Sequence, residues 1–302
     1  MALATEGERL FDEQALRKLE QLTLVADRVR AGLLKGDRRS RKRGSSVEFA
    51  DYRDYTRGDD LRRLDWNVYA RLERPFIKLL EEEEDLAVHL LLDGSRSMDW
   101  PARKDPANKF DYARRLVAAL AVIGLATGDQ VSLAILGAGR ESGWGPYRGR
   151  QSVPRLFSML ESVQARGVTD LNLALRQYGL RSLRPGLLVL VSDLFSPNGF
   201  KEGIDTLLSR GYEVAVIQLL SPDESTPSII GDVKLVDVET GDDAEVTLDQ
   251  ATMDLYQKRL QSWQQDTAAF CARRDIHYVP VITDVPWETL VMQTMRSLGM
   301  LR

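Results

Sequence analysis

The stretch from Leu86 to Ser97, reading LAVHLLLDGSRS, constrains this chain more than any other. An apolar run of strand length that stops at Asp93, with serines two and four residues further on, reads as a buried strand ending in a polar loop. Asp93, Ser95 and Ser97 offer one carboxylate and two hydroxyls from the outer end of that strand, with no thiolate or imidazole among them. Hard oxygen donors of this kind suit magnesium or manganese. Asp and Ser are also ordinary turn and helix-capping residues, so the remainder of the chain decides between the two readings.

Before this strand, Leu16, Leu19, Leu22, Val25, Ala26, Val29 and Leu33 form a helical stripe, which predicts a helix over Glu8 to Leu34. The basic tract Arg38 to Arg43, RRSRKR, follows. It reads as a solvated linker rather than a phosphate contact, because no aromatic residues interleave its charges. From Glu48 to Arg74 the chain is dense in arginine and aspartate, and Gly58 with Asp59 or Asp60 predicts a helix start, the helix running to about Leu72. Two readings of this segment stand. One is an ion-pair network that locks it onto the neighbouring domain. The other is a partner-docking face, with Arg53, Asp59, Asp60, Arg62, Asp65, Trp66 and Arg71 as its candidates. Pro75 to Leu80 is expected to be a strand, and the acidic run Glu81 to Asp85 a solvated edge.

After the serine loop, helices and apolar strands alternate. The expected helices are Lys109 to Ala126, Val153 to Ser162, Asp170 to Leu180, Phe200 to Arg210, Asp249 to Arg273 and Trp287 to Leu298. The expected strands are Val131 to Leu136, Leu187 to Ser192, Glu213 to Leu220 and Ile276 to Ile282. Gly137 to Gly149 lacks the Gly-Lys-Ser/Thr ending of a phosphate loop and reads as a turn and a short edge strand. A β-hairpin, Val233 to Glu239 and Ala244 to Leu248 with its turn at Gly241 and Asp242, interrupts the alternation as an insertion at about 231–248. The expected fold is therefore α/β, a doubly wound, mostly parallel, Rossmann-like sheet over 86–302, preceded by an N-terminal helical and extended segment, 1–85.

That topology makes a geometric claim. In a sheet of order 3-2-1-4-5-6 the first and fourth strands are neighbours, and ligands bind beyond their carboxyl ends. Asp93 leaves the first strand and Asp193 the fourth. Two carboxylates in one crevice repel, and one is driven toward its neutral form unless a cation sits between them. Thr169, in the turn before the preceding helix, adds a hydroxyl on the same rim. All five residues lie beyond residue 43, so residues 1–43 are expected to be dispensable for metal binding.

Composition excludes several other classes. With 43% hydrophobic and 28% charged residues and a net charge of -4, the chain has the make-up of a soluble globular protein and no bulk excess of cations for nucleic acid. The longest apolar stretch, Leu116 to Ala126, is too short to span a bilayer, and the first residues do not resemble a signal peptide. One cysteine, Cys271, excludes a disulfide framework. A cytoplasmic protein is the resulting expectation. An enzyme, such as a metal-dependent phosphoesterase, is the alternative class, but His89 and His277 both fall within strands and Cys271 near a helix end, where packing is the expected role. A scaffold with an unused site is the third.

The set Asp93-x-Ser95-x-Ser97, Thr169 and Asp193 resembles the metal-ion-dependent adhesion site of the von Willebrand factor A domain. The upstream EFADYRDYTRGDDLRRLDWNVYAR resembles the signature of the bacterial domain-of-unknown-function family fifty-eight, whose members carry such a domain. One departure is Leu194, where many adhesion-type domains have glycine. The resemblance implies a protein-binding module rather than an enzyme: Ser95 and Ser97 as direct ligands of Mg²⁺ (or Mn²⁺), Asp93 and Asp193 ligating directly or through water, Thr169 joining or leaving, and a partner's Asp or Glu completing the shell. It also implies an adaptor that works with a MoxR-type AAA+ ATPase in protein assembly or remodelling.

Overall fold

The structure, a computed structural model, describes residues 10–26, 47–56, 64–82, 85–101, 105–137, 142–181, 183–229, 231–239 and 241–302, giving the backbone course alone for 47–53 and 77–82. The chain divides into two compact units, one of residues 1–35 with 86–302 and one of 36–85. Residues 1–35 thus group with the large unit, against the expectation of a separate segment 1–85.

The chain opens with α1 (Glu13–Leu19), whose cap Asp12 accepts a hydrogen bond from the Ala15 N–H. The predicted helix to Leu34 is overturned here, since α1 ends at Leu19 and residues 20–26 are not helical. Leu24 pairs antiparallel with Leu301, and Thr23 and Arg302 exchange two backbone hydrogen bonds of 3.0 Å. β-Branched Thr23 and Val25 favour this course, which buries Leu22, Leu24 and Val25 together. Residues 27–46, including the basic tract, lie outside the described residues.

The smaller unit contains β1 (Val47–Asp54), α2 (Trp66–Leu72) and β2 (Phe76–Glu82). The two strands pair antiparallel, from Val47 opposite Glu82 to Asp54 opposite Phe76. β1 was not among the expected strands. The expected continuous helix from Gly58 to Leu72 is also corrected. Asp65 is extended and caps α2, its Oδ1 accepting from the N–H groups of Asn67 (2.9 Å) and Val68 (3.2 Å).

The large unit continues through β3 (Ala87–Asp93), α3 (Lys109–Ala126), β4 (Gln130–Leu136), β5 (Ser142–Tyr147), α4 (Val153–Ser162) and α5 (Leu171–Gly179). There follow β6 (Leu187–Ser192), α6 (Lys201–Ser209), β7 (Glu213–Leu220), β8 (Gly231–Val236), β9 (Asp243–Leu248), α7 (Gln250–Ala272), β10 (His277–Ile282) and a closing helical segment, 287–297. Six strands form one sheet of order β10-β7-β6-β3-β4-β5, parallel throughout except for the edge strand β5. Counted within this sheet alone, that is the expected order 3-2-1-4-5-6. β8 and β9 form the expected hairpin, though β8 stops at Val236, short of the expected Glu239.

Every residue of β3 is buried, and its alternation sends neighbours to opposite faces. Val88, Leu90 and Leu92 join a cluster with α1, α3, α4 and the closing segment. Leu91 joins a second cluster with α5, α6 and Phe270 of α7. Each buried leucine contributes about 1.5–3 kcal/mol, so the strand that presents Asp93 is held from both sides.

Candidate functional site

Asp93 is the last residue of β3, next in register to Ser192 at the end of β6. The Ser192 hydroxyl donates to Asp93 Oδ2 at 2.6 Å, and the Ser95 N–H donates to Asp93 Oδ1 at 2.9 Å. Ser192 Oγ in turn accepts from the Leu194 N–H at 2.9 Å. The chain then turns outward through a short helical turn, Arg96–Met98, which brings Ser95 Oγ and Ser97 Oγ to 3.0 Å of each other.

Two glycines make this turn possible. A Cβ on Gly94 would stand 2.8 Å from the Ile135 side chain and 3.0 Å from the Leu136 oxygen, and one on Gly137 3.3 Å from the Gly94 oxygen. The close approach lets the Gly94 N–H donate to Leu136 O at 2.6 Å and the Arg166 N–H to Gly94 O at 2.7 Å. A third bond, Arg96 N–H to Gly167 O at 2.8 Å, joins the serine loop to the loop carrying Thr169. Thr169 Oγ1 lies 3.4 Å from Leu136 O, and its carbonyl accepts from the Ser196 hydroxyl at 3.2 Å. Three loops at the carboxyl ends of β3 and β6 and before α5 are thereby stitched together. The five residues singled out from the sequence, Asp93, Ser95, Ser97, Thr169 and Asp193, all lie on these loops or the strand ends that feed them.

Asp193 brings a residue that the sequence reading passed over. Its Oδ1 accepts from the Phe195 N–H at 3.0 Å, and its Oδ2 accepts from the Lys109 ammonium at 2.8 Å, with both side chains fully buried. Lys109 also reaches Glu224 at 2.6 Å. Glu224 is fixed by a capping box in which its carboxylate accepts from the Ser221 N–H and its own N–H donates to Ser221 Oγ. Burial pulls the ammonium down, but the charges of Asp193 and Glu224 outweigh it and hold Lys109 above the usual lysine value. The chain's own cation therefore meets one of the two carboxylates for which the sequence called for a metal.

Asp93 is met instead by a hydroxyl and a backbone N–H. Burial, then the charge of Asp193, push its carboxyl up to about 6, against the hydrogen bonds from Ser192 and Ser95. A buried carboxylate facing a second one, beside two touching hydroxyls, is a donor set that fits a hard divalent cation. Among the described residues no three His, Cys, Asp or Glu side chains gather as they do in richer metal sites, so the hydroxyls are needed to complete any shell. Glu239, from the β8–β9 turn, also reaches the rim, its Oε1 3.4 Å from the Ser97 N–H.

The other candidates fall elsewhere. Asp65 is the buried cap of α2, while Trp66 and Arg71 are exposed. Trp66 meets Tyr69 edge-on at 6.1 Å. Asp59, Asp60 and Arg62, and the side chain of Arg53, lie outside the described residues. His89 is buried against Tyr178 and Arg184, and Cys271 is buried with its thiol pushed up to about 11 by desolvation.

Among relatives, an uncharacterised protein of Mycobacterium tuberculosis is 26% identical over 289 residues, covering 95% of this chain and 90% of its own length, and one of Mycobacterium bovis matches equally. A solved structure of the conserved hypothetical protein BatB from Bacteroides thetaiotaomicron covers 71% of this chain and 98% of its own at 16% identity, with a TM-score of 0.43. An aerotolerance-related membrane protein from Bacteroides fragilis covers 70% and 99% at 17% identity, with a TM-score of 0.42. No described helix is long and apolar enough to cross a membrane. The family described as "Protein of unknown function DUF58" matches residues 51–266, more than half of the sequence, and the chain belongs to it.

Proposed function

We propose that the chain is a metal-dependent protein-binding module of the von Willebrand factor A type, with the rim around Asp93 as its adhesion site. The observation that carries this reading is the pair of hydroxyls, Ser95 and Ser97, 3.0 Å apart beside the buried, incompletely neutralised Asp93. Ser95 and Ser97 would hold Mg²⁺ or Mn²⁺ directly, Asp93 and Asp193 directly or through water, and Thr169 as a further hydroxyl. Magnesium demands near-octahedral oxygen ligation and keeps exchangeable waters. A site short of protein ligands therefore accepts an external carboxylate, so the partner is a protein offering Asp or Glu. Its working with a MoxR-type AAA+ ATPase is carried by the family resemblance.

One observation favours a second reading. Lys109 already neutralises Asp193, as it would in a scaffold whose site serves structure only.

A pull-down from native lysate separates the two. Wild type and Asp93→Ala are compared, each with Mg²⁺ and with chelator, and retained proteins are identified by mass spectrometry. A protein retained only by wild type with Mg²⁺ is the expected result, and an AAA+ ATPase in that fraction supports the adaptor role. Identical retention in all four conditions refutes metal-bridged binding.

A further inference from the structure

We propose that Glu239 is a built-in competitor for the partner's carboxylate, held over the serine loop by the β8–β9 hairpin. The proposal rests on the metal-site reading above and adds to it the regulation of that site.

The hairpin is an exposed ribbon: Leu235, Val236 and Val238 are 49%, 56% and 41% exposed. At its turn one side chain runs against that trend. Glu239 is half-buried, and its carboxylate accepts from the Ser97 N–H at 3.4 Å and meets the Ser97 hydroxyl as well. Residues 142 apart in sequence are joined by this contact. The turn is braced to present it. Asp237 Oδ1 accepts from the Glu239 N–H at 2.7 Å, Asp237 O from the Gly241 N–H at 2.9 Å, and the Asp237 N–H donates to Asp242 O at 2.8 Å.

Electrostatics make the placement informative. Burial first, and then the charges of Asp193 and Asp237, disfavour the Glu239 carboxylate at this rim, against the hydrogen bonds from Ser97. A divalent cation held by Ser95 and Ser97 reverses the sign of that interaction. The chemistry Glu239 offers, one carboxylate approaching the exposed side of the serine loop, is the chemistry an acidic partner must offer. A partner can dock only by displacing it, and the hairpin then swings free of Ser97. A competitor that fills the position about 90% of the time lowers the apparent affinity for an outside carboxylate about tenfold.

The test uses the full chain, Mn²⁺ as the metal and acetate as the carboxylate probe, with Glu239→Gln compared with wild type and with Glu245→Gln, an exposed acid on the same hairpin. Water-proton relaxation by bound Mn²⁺ counts its exchangeable waters. Glu239→Gln is expected to bind Mn²⁺ several-fold more weakly, to show higher relaxivity per bound ion, and to be half-saturated by acetate at about a tenfold lower concentration, with Glu245→Gln matching wild type. Tight Mn²⁺ binding with equal relaxivity and equal acetate response in all three proteins overturns the proposal and leaves the metal site standing. No Mn²⁺ binding in any of them overturns the metal-site reading and this proposal with it.

Discussion

His89 stands four residues before Asp93 on the same face of β3, and their environments move their protons in opposite directions. His89 Nδ1 lies 2.8 Å from the Tyr178 hydroxyl and Nε2 2.9 Å from the Arg184 carbonyl oxygen. Burial lowers its pKa to about 4, against the carbonyl contact that raises it. Between the unfolded value of 6.5 and that folded value, the unfolded chain binds a proton that the folded chain refuses. The stability this residue allows is thus present in full above 6.5 and is lost as the pH falls toward 4, by up to about 3 kcal/mol. Asp93, raised to about 6, works the other way, gaining stability for the metal-free chain as the pH falls through that value. The histidine's share is therefore read from a variant. His89→Gln should lose less stability than wild type when urea unfolding at pH 7 is compared with pH 4.5. Parallel losses in the two proteins would place the acid sensitivity elsewhere.

At the scale of elements, α3 begins with a lysine where the helix dipole disfavours a cation. Two carboxylates from other elements reverse that preference: Asp193 after β6, and Glu224 in the capped turn after β7. Removing the ammonium by Lys109→Met leaves buried acids uncompensated, a loss of about 3–5 kcal/mol. Added Mg²⁺ should then raise the thermal midpoint of Lys109→Met more than that of wild type, because the added cation replaces the missing one. Equal shifts would show that Lys109 and the metal act on separate groups. The lysine was legible in principle, as a cation at a helix start awaiting a partner, but the partners are 84 and 115 residues away. The central strands and their order were legible because fully buried parallel strands carry unbroken apolar runs. Asp93 and Asp193 were legible because each interrupts such a run at its carboxyl end. Glu239 gave no signal, since which turn residue folds back depends on hairpin twist and not on local pattern. Leu194 shows the same limit. It takes a left-handed φ of 64° where glycine would be unstrained, yet its side chain is buried in the second core cluster, and that burial offsets the strain.

At the largest scale, the larger unit is tied together by segment 10–26 and residues 287–302. The segment 10–26 contributes Leu19, Leu22 and Leu24 to the cluster that also holds Val88, Leu90 and Leu92 of β3. Phe11 lies 4.8 Å from the Trp287 ring and 5.8 Å from the Phe157 ring. Backbone bonds from Thr23 and Val25 secure Met300 and Arg302. The stripe read as a long helix was hydrophobic for this reason, but among its described residues only Glu13–Leu19 are helical, and 20–26 follow a non-helical course in which Leu24 pairs with Leu301. Dispensability of the N-terminus for metal binding follows from the location of the rim residues only if the sheet survives without it. Removing residues 1–35 strips one face of the cluster and unpairs residues 300–302, so the truncated chain should unfold at markedly lower urea than the full chain. Phe11→Ala, which leaves the backbone pairing in place, should cost about 3–5 kcal/mol by itself. If both proteins unfold with the full chain's midpoint, the N-terminal segment is an appendage, and the rim is supported by residues 86–302 alone.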